Sequence, residues 1–118
     1  MGKVEDKIRK HLLVSDKSPG TEDLQPVAFT GDHGFTMMEW APYGLIGAII
    51  PSTNPTSTVI CNSIGMIAAG NAVFFGPHPG AKVASQTAIQ EINKAIVAVG
   101  GPPNLLVALL EPSIEAAQ

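Results

Sequence analysis

The sequence predicts an α/β fold: a partial Rossmann-like, doubly wound parallel sheet of the βαβαβ type, preceded by an N-terminal helix and a strand. The first indication is the distribution of charge, since 12 of the 17 charged residues lie in positions 1–39 and none lies between Trp40 and Ala81. So long an uncharged stretch is expected to be interior. The second indication is that short apolar runs alternate with helical patterns after residue 44, and Gly and Pro separate these segments.

In the first third of the chain the sequence predicts one helix and one strand. Apolar residues recur every fourth position from Val4 to Leu12, which is the stripe of an amphipathic helix over residues 3–14. Residues 15–34 are rich in Gly, Pro and Asp, so they are expected to be mostly loop, with a tight turn at residues 32–34. The segment from residue 35 to residue 40 is expected to be a strand.

The rest of the chain has the pattern of a parallel layer. Leu45–Ile50 is a short continuous apolar run between Gly and Pro, which is typical of a strand buried on both faces. Asn54 and Pro55 suit the start of a helix, with the Asn54 side chain as its cap. The same reasoning predicts a helix over 56–69, a strand over 72–75, a helix over 81–99 and a strand over 105–110. The buried face of the last helix is expected to carry Ile89, Ile92, Ile96 and Val99.

Two loops are candidates for ligand binding. In open parallel sheets, ligands bind at the carboxyl ends of the strands, where helix N-termini present free N–H groups. The loops Pro51–Pro55 and Gly76–Gly80 are predicted to lie at this edge. An alternative stays open, because every α/β sheet has such loops and these prolines also serve to end strands. The usual Gly-x-Gly-x-x-Gly dinucleotide fingerprint is absent from the strand–helix junctions.

Single residues with reactive side chains have plainer explanations. Cys61 lies in a predicted helix without a nearby His or basic residue, so buried packing is favoured over a nucleophilic role. The three histidines have no spacing that suggests a metal site, and no metal is expected. His78 lies in a candidate loop, where a neutral hydrogen-bonding role or solvent exposure is favoured. For Asn54, helix capping is favoured over catalytic use of its amide.

The composition disfavours several classes of partner. The formal net charge is −3 and Lys and Arg form no cluster, so neither nucleic acid nor a membrane surface is an expected partner. Prolines and asparagines interrupt the uncharged stretch before it could form a membrane span. The chain does not open with a signal-peptide pattern, and a cytoplasmic location is expected. Because it contains one Cys, no internal disulfide is possible.

Four motifs resemble a known family. They are the stretches Ala41–Thr56, Cys61–Ile64, Ala68–Asn71 and Pro77–Lys82. Together they closely resemble the CoA-acylating aldehyde dehydrogenases, in particular the acetaldehyde and propionaldehyde enzymes of ethanolamine and propanediol breakdown. The resemblance covers nearly the whole chain. It implies that residues 1–118 are a partial NAD-binding domain, with a helix and loop over 1–34 and a strand and βαβαβ layer over 35–118, and that the catalytic domain is absent from the sequence.

The resemblance also implies an activity. These enzymes oxidise an aldehyde through a cysteine thiohemiacetal, pass hydride to NAD, with NADP as an alternative, and release the acyl group to coenzyme A. The full-length enzymes are expected to be homo-oligomers, either cytoplasmic or in the lumen of a bacterial microcompartment. The nucleophilic cysteine is expected beyond residue 118, so the chain is expected to be inactive alone.

The resemblance assigns residues to the cofactor. The positions that resemble the loop beside the cofactor are Ile50, Pro51, Ser52 and Thr53. Those that resemble the segment facing its adenosine half are Gly76, Pro77, His78 and Pro79. Many aldehyde dehydrogenases have a Lys at the place of Gly76, which this sequence lacks. In the family, the side-chain amide of an Asn in the first loop holds the oxyanion, and Asn54 matches this Asn. The family's Asn, however, lies two places after the proline, and that position in this sequence is Thr53.

The sequence is also compatible with two other hypotheses. One is a non-catalytic interaction module that docks on full-length relatives, since a partial sheet leaves apolar faces and strand edges without partners. The other is a truncated gene remnant without a function.

Overall fold

The computed structural model describes residues 3–113 and residue 115. The first element is helix α1, which spans Val4–Lys17 and buries none of its residues. The predicted helix is confirmed and extends three residues further than the apolar stripe indicated. A single 3-10 turn over Glu22–Leu24 follows. The amphipathic pattern therefore placed α1 correctly but did not fix its end.

An antiparallel hairpin connects α1 to the rest of the molecule. Its strands are β1, Val27–Gly31, and β2, Gly34–Met38. The expectation that residues 15–34 are mostly loop did not include β1, although the tight turn is confirmed, since Gly31 pairs with Gly34 across two residues. Every residue of both strands is exposed. These strands are held together by hydrogen bonds to each other and not by burial, so hydropathy gave little sign of β1.

The remaining elements form the predicted βαβαβ layer. They are β3 over Leu45–Ile50, α2 over Pro55–Ala68, β4 over Ala72–Pro77, α3 over Lys82–Ala98 and β5 over Leu106–Ala108. The strands are parallel in the order β3-β4-β5, with Ile50 opposite Pro77 and Phe75 opposite Ala108. The partial Rossmann-like α/β fold is thus confirmed. The prediction of β5 over 105–110 was too long.

Both crossover helices pack on the same face of the sheet. Strand order follows chain order, so right-handed crossovers bring α2 and α3 to one side. The core between sheet and helices consists of Ala48, Ile50, Val59, Val73, Phe75, Ile89 and Leu106. The opposite face has no helix among the described residues, and Ile49 is 74% exposed there. The expectation that β3 is buried on both faces was therefore wrong, because its burial alternates.

Side-chain amides fasten the strands to the helices. Asn71 is buried, and its Oδ1 accepts from the Gly44 N–H while its Nδ2 donates to the carbonyls of Met66 and Ala69. The side chain of Asn93 in α3 forms two hydrogen bonds with the Leu106 backbone. Its Nδ2 donates to the Leu106 carbonyl over 2.6 Å, and its Oδ1 accepts from the Leu106 N–H over 3.3 Å. These bonds satisfy backbone groups that would otherwise be left unpaired.

The ends of the helices follow the Gly signals. Gly70 has a φ of +80°, which a residue without Cβ adopts at low cost, and it ends α2. Helix α3 ends at Ala98, and the following Val99 is 86% exposed. The assignment of Val99 to the buried face was wrong, because the helical period no longer applies beyond the last turn. No helix in the described part of the chain is long and apolar enough to cross a membrane.

Candidate functional site

The carboxyl ends of the three parallel strands form one edge of the sheet. The His78 N–H donates to the Ile50 carbonyl over 3.0 Å, which joins the exits of β3 and β4. The Leu109 N–H donates to the Phe75 carbonyl, also over 3.0 Å, and joins the exit of β5 to β4. The three strand ends are therefore held side by side, in the arrangement that parallel sheets use for ligands.

A cleft of about 340 Å³ opens at this edge. It is lined by residues 49–50, residues 76–79, Leu109, Pro112 and Ser113. Five of the predicted cofactor residues come together in it, namely Ile50, Gly76, Pro77, His78 and Pro79. The other three, Pro51, Ser52 and Thr53, are exposed and do not line it. The two predicted loops do meet at one edge, but of these two loops only the Gly76 loop lines the cleft, together with the end of β3.

Residues after β5 form a third wall of the cleft, which was not predicted from the sequence. Leu109, Pro112 and Ser113 follow β5, and the carboxyl-end rule that selected the other two loops applies equally to this strand. Gln86 of α3 holds this segment, because its Nε2 donates to the carbonyls of Leu109 and Leu110. Nothing in the local sequence indicated this contact between residues more than twenty positions apart.

A second cavity of about 610 Å³ continues from the cleft. It is lined by residues 79–84, Glu111 and Pro112, so the two cavities share Pro79 and Pro112. Lys82 and Glu111 form an ion pair across it, with 2.7 Å between Nζ and Oε1. The Lys82 side chain is 30% exposed and the Glu111 side chain 86% exposed. A pair so open to water adds little stability and is free to exchange partners.

His78 provides a hydrogen-bonding side chain in the cleft, and Gly76 leaves space in it. The Nδ1 atom of His78 accepts from the Gly80 N–H over 3.0 Å, so Nδ1 is occupied as an acceptor and Nε2 is the ring nitrogen left for a ligand. His78 is also exposed, and both properties agree with the favoured interpretation. A Cβ placed on Gly76 would meet only Ile49, at 4.0 Å. The glycine therefore leaves the floor of the cleft open.

Asn54 does not cap α2 with its side chain. Proline at the start of the helix is confirmed, but the Asn54 side chain makes no capping bond. Instead Oδ1 accepts from Lys10 of α1, and the backbone carbonyl accepts from both N–H and Oγ1 of Thr58. Asn54 lines a separate cavity of about 190 Å³ with Lys7 and His11. The capping prediction was wrong because Lys10, 44 residues away, competes for the same oxygen.

Cys61 is exposed, so the prediction of buried packing was wrong. The side of α2 that faces the core carries Val59 and Ser63, and Cys61 lies on another side of this helix. In the part of the chain that the structure describes, no group of three or more His, Cys, Asp or Glu could hold a metal ion.

The rim near Ser113 carries a negative charge. The pKa of Glu115 lies below its ordinary value because its own backbone N–H, and then the Ser113 hydroxyl, donate to the carboxylate. Lys82 and its ion-pair partner Glu111 line the neighbouring cavity of about 610 Å³. An anionic ligand in that neighbouring cavity would therefore compete with Glu111 for Lys82.

Comparisons with known proteins agree with the motifs. A scan against protein-family models gives no match. The chain is 60% identical to an acetylating acetaldehyde dehydrogenase of Bilophila wadsworthia over 118 residues, which are 100% of this chain and 24% of that protein. This chain therefore spans about a quarter of the length of the curated relatives that it matches.

Two solved structures extend the comparison. A propionaldehyde dehydrogenase from the fucose utilisation microcompartment of Clostridium phytofermentans matches with a TM-score of 0.94 and 50% identity, over 99% of this chain and 27% of that one. An engineered glycolyl-CoA reductase with bound NADP+ matches with a TM-score of 0.91 and 50% identity, over 98% and 26%. Along its whole length, the chain is thus a relative of the CoA-acylating aldehyde dehydrogenases and corresponds to about a quarter of them.

Proposed function

We propose that the cleft at the strand ends receives the adenosine half of NAD or NADP, and that these 118 residues are part of the cofactor domain of a CoA-acylating aldehyde dehydrogenase. The observation that carries the proposal is the convergence of Ile50, Gly76, Pro77, His78 and Pro79 on one cleft. These are the residues that resemble the cofactor segments of the family. The domain limits given by the sequence, 1–34 and 35–118, are part of the same proposal.

The cleft fits a purine and a ribose better than a metal or a charged headgroup. Its walls are formed mainly by aliphatic residues and prolines, which suit a flat aromatic ring. The Nε2–H of His78 is left as a donor for a hydroxyl or ring nitrogen. The open floor at Gly76 allows close approach of the ligand to the backbone. A bound nicotinamide cofactor supplies the hydride acceptor, and the residues of the cleft hold and orient it.

The acyl-transfer chemistry belongs to the longer enzyme in this proposal. The reaction oxidises an aldehyde bound to a cysteine and passes the acyl group to coenzyme A. Cys61 does not suit this role: it lies in α2, away from the cleft, and no His or Lys is among its sequence neighbours. We therefore expect no turnover by these residues alone. Asn54 is retained as a proposed oxyanion donor, since Lys10 engages its oxygen and leaves its N–H groups for another acceptor.

The test of the cleft compares the two halves of the cofactor. Saturation-transfer NMR on the chain is recorded with adenosine monophosphate and with nicotinamide mononucleotide, in separate samples and in competition with NADH. We expect a signal from adenosine monophosphate that NADH removes, and none from the nicotinamide half. Preferential binding of the nicotinamide half, or no binding of either half or of NADH by folded protein, would contradict the proposal.

The test of the chemistry is an acyl-CoA assay. The purified chain is incubated with propionaldehyde, NAD and coenzyme A, and NADH formation is followed by absorbance. No turnover above the buffer rate is expected, because no suitable nucleophile is present. Turnover that disappears in Cys61→Ser would assign the nucleophile to Cys61, and turnover that survives this change would require another one; either result would contradict the proposal.

A second candidate function is a non-catalytic module that docks on full-length relatives. The observation that favours it is the open sheet face, where Leu45, Ile49, Phe74 and Val107 are exposed. Size-exclusion chromatography of the chain with a full-length propionaldehyde dehydrogenase distinguishes the candidates. Co-elution would support docking, and separate elution would count against it. A cytoplasmic or microcompartment location and homo-oligomerisation through the exposed hairpin remain proposals for the longer enzyme.

A further inference from the structure

The loop between β3 and α2 has few contacts of its own. Its first fixed point is the Ile50 carbonyl, which accepts from the His78 N–H. Its last is the Asn54 carbonyl, which accepts from the Thr58 N–H over 3.1 Å. Within the described part of the chain, residues 51–53 make no hydrogen bond, and all three are exposed. The course of the loop therefore depends on how its two ends are held.

Helix α1 holds the Asn54 end. Lys10 Nζ donates to Asn54 Oδ1 over 2.5 Å, a contact between residues 44 positions apart. An ammonium group can only donate, so it must meet the amide oxygen, and the Asn54 NH₂ group is turned away from it. That NH₂ group donates to no acceptor among the described residues. One cation therefore decides which end of the amide is available to another group.

The charge of Lys10 acts mainly on this amide. The residue is half-buried, and none of the ion pairs within residues 3–113 and 115 includes it. A hydrogen bond with an ionised donor is about twice as strong as a neutral one. A charge at Oδ1 also polarises the amide, which makes its N–H groups better donors. Lys10 thus fixes the position of Asn54 and strengthens its remaining donors.

We propose that Lys10 is the positioning residue of the cofactor-side loop at residues 51–54. Acting from α1, it sets the path of this loop beside the strand ends and directs the Asn54 NH₂ group away from α1. Its effect on cofactor affinity rests on the proposed function, whereas its effect on the loop does not. Removing Lys10 should therefore loosen the loop and weaken cofactor binding, while the parallel sheet stays folded.

The experiment compares three variants of the chain. Lys10→Met keeps the aliphatic length and removes the donor, and Lys10→Arg restores a cationic donor. Lys7→Met is the matched control, since Lys7 lies about one turn earlier on α1 and lines a cavity together with Asn54, without a hydrogen bond to it. Proton–nitrogen NMR follows the Asn54 side-chain NH₂ pair and the heteronuclear NOE of the Ser52 and Thr53 amides. NADH fluorescence titration gives the affinity of each variant.

In Lys10→Met we expect a shifted Asn54 NH₂ pair, lower NOE values at Ser52 and Thr53, and an NADH Kd raised roughly three- to tenfold. Lys10→Arg should restore most of these values, and Lys7→Met should resemble the wild type. Unchanged loop signals in folded Lys10→Met would overturn the proposal, and so would unchanged NADH affinity in that variant.

Two further results separate this proposal from the proposed function. If the wild type does not bind NADH, the cofactor function fails, and the NMR data alone decide whether Lys10 positions the loop. If Lys10→Met does not fold, NOE contacts between the Lys10 ε-methylene and the Asn54 side chain in the wild type decide the question. Their presence would support the positioning role, and their absence would overturn it.

Discussion

The two faces of the parallel sheet carry similar side chains in different surroundings. On β4, Phe75 faces α2 and α3 and is 0% exposed, whereas its neighbour Phe74 faces the other way and is 39% exposed. Ile50 and Ile49 of β3 show the same contrast. Both faces have the composition of a core, but only one is covered within the described residues. Apolar composition therefore indicates which residues are suited to burial. Whether they are buried depends on whether a helix packs on that face of the sheet.

The largest expected effect distinguishes these two faces directly. Phe75→Ala removes a fully buried ring from the core and should lower the free energy of unfolding by about 3–5 kcal/mol. Phe74→Ala, the matched change on the open face, should cost about 1 kcal/mol or less. Urea unfolding followed by circular dichroism measures both. Equal losses for the two variants would mean that the open face is covered in solution.

A smaller effect tests how the last strand is held. Asn93→Ala removes both hydrogen bonds to the Leu106 backbone and should lower the free energy of unfolding by about 1–3 kcal/mol, since two backbone groups lose their partner. Hydrogen exchange at the Leu106 amide should become faster. Gln90→Ala, on the exposed side of the same helix, serves as the control. If exchange at Leu106 is unaffected, β5 is held by its pairing with β4 alone.

The smallest effect is expected in the hairpin. Phe35→Ser changes a residue that is 65% exposed in β2, and a surface substitution of this kind usually alters stability by about 0.5 kcal/mol or less. The melting temperature measured at low protein concentration should therefore stay close to that of the wild type. A clear drop in melting temperature would show that the hairpin packs on the layer or on a second molecule.

Much of the layer could be predicted from the sequence because Gly and Pro mark its boundaries. The limits of β3 were predicted without error, and those of α2 and α3 to within one residue. Strand β1 was missed because it is short and stabilised by pairing with β2, which local hydropathy does not reveal. The exposure of Cys61 was missed because periodicity defines a stripe on a helix, and the packing partners decide which stripe faces the core.

The part of the candidate site that depends on the order and direction of the strands could be predicted from the sequence. The carboxyl-end rule placed Ile50 and the Gly76 loop in one cleft. It could not reveal that Asn54 gives its side-chain oxygen to Lys10, or that Gln86 holds the segment after β5, because both contacts join distant parts of the chain. The family resemblance supplied the cofactor, which no spacing in the sequence indicated.

The most direct test of the account is an NADH titration of the chain and two matched glycine variants, with circular dichroism to confirm folding. A Cβ meets nothing within 4 Å at Gly47 and only Ile49 at Gly76, so a Cβ is accommodated at both positions. Gly76 lines the cleft, and Gly47 does not. We predict saturable binding by the wild type and by Gly47→Val, and loss of binding in Gly76→Val. Binding that survives Gly76→Val unchanged, or no binding by folded wild-type protein, would contradict the assignment of the cleft to the cofactor.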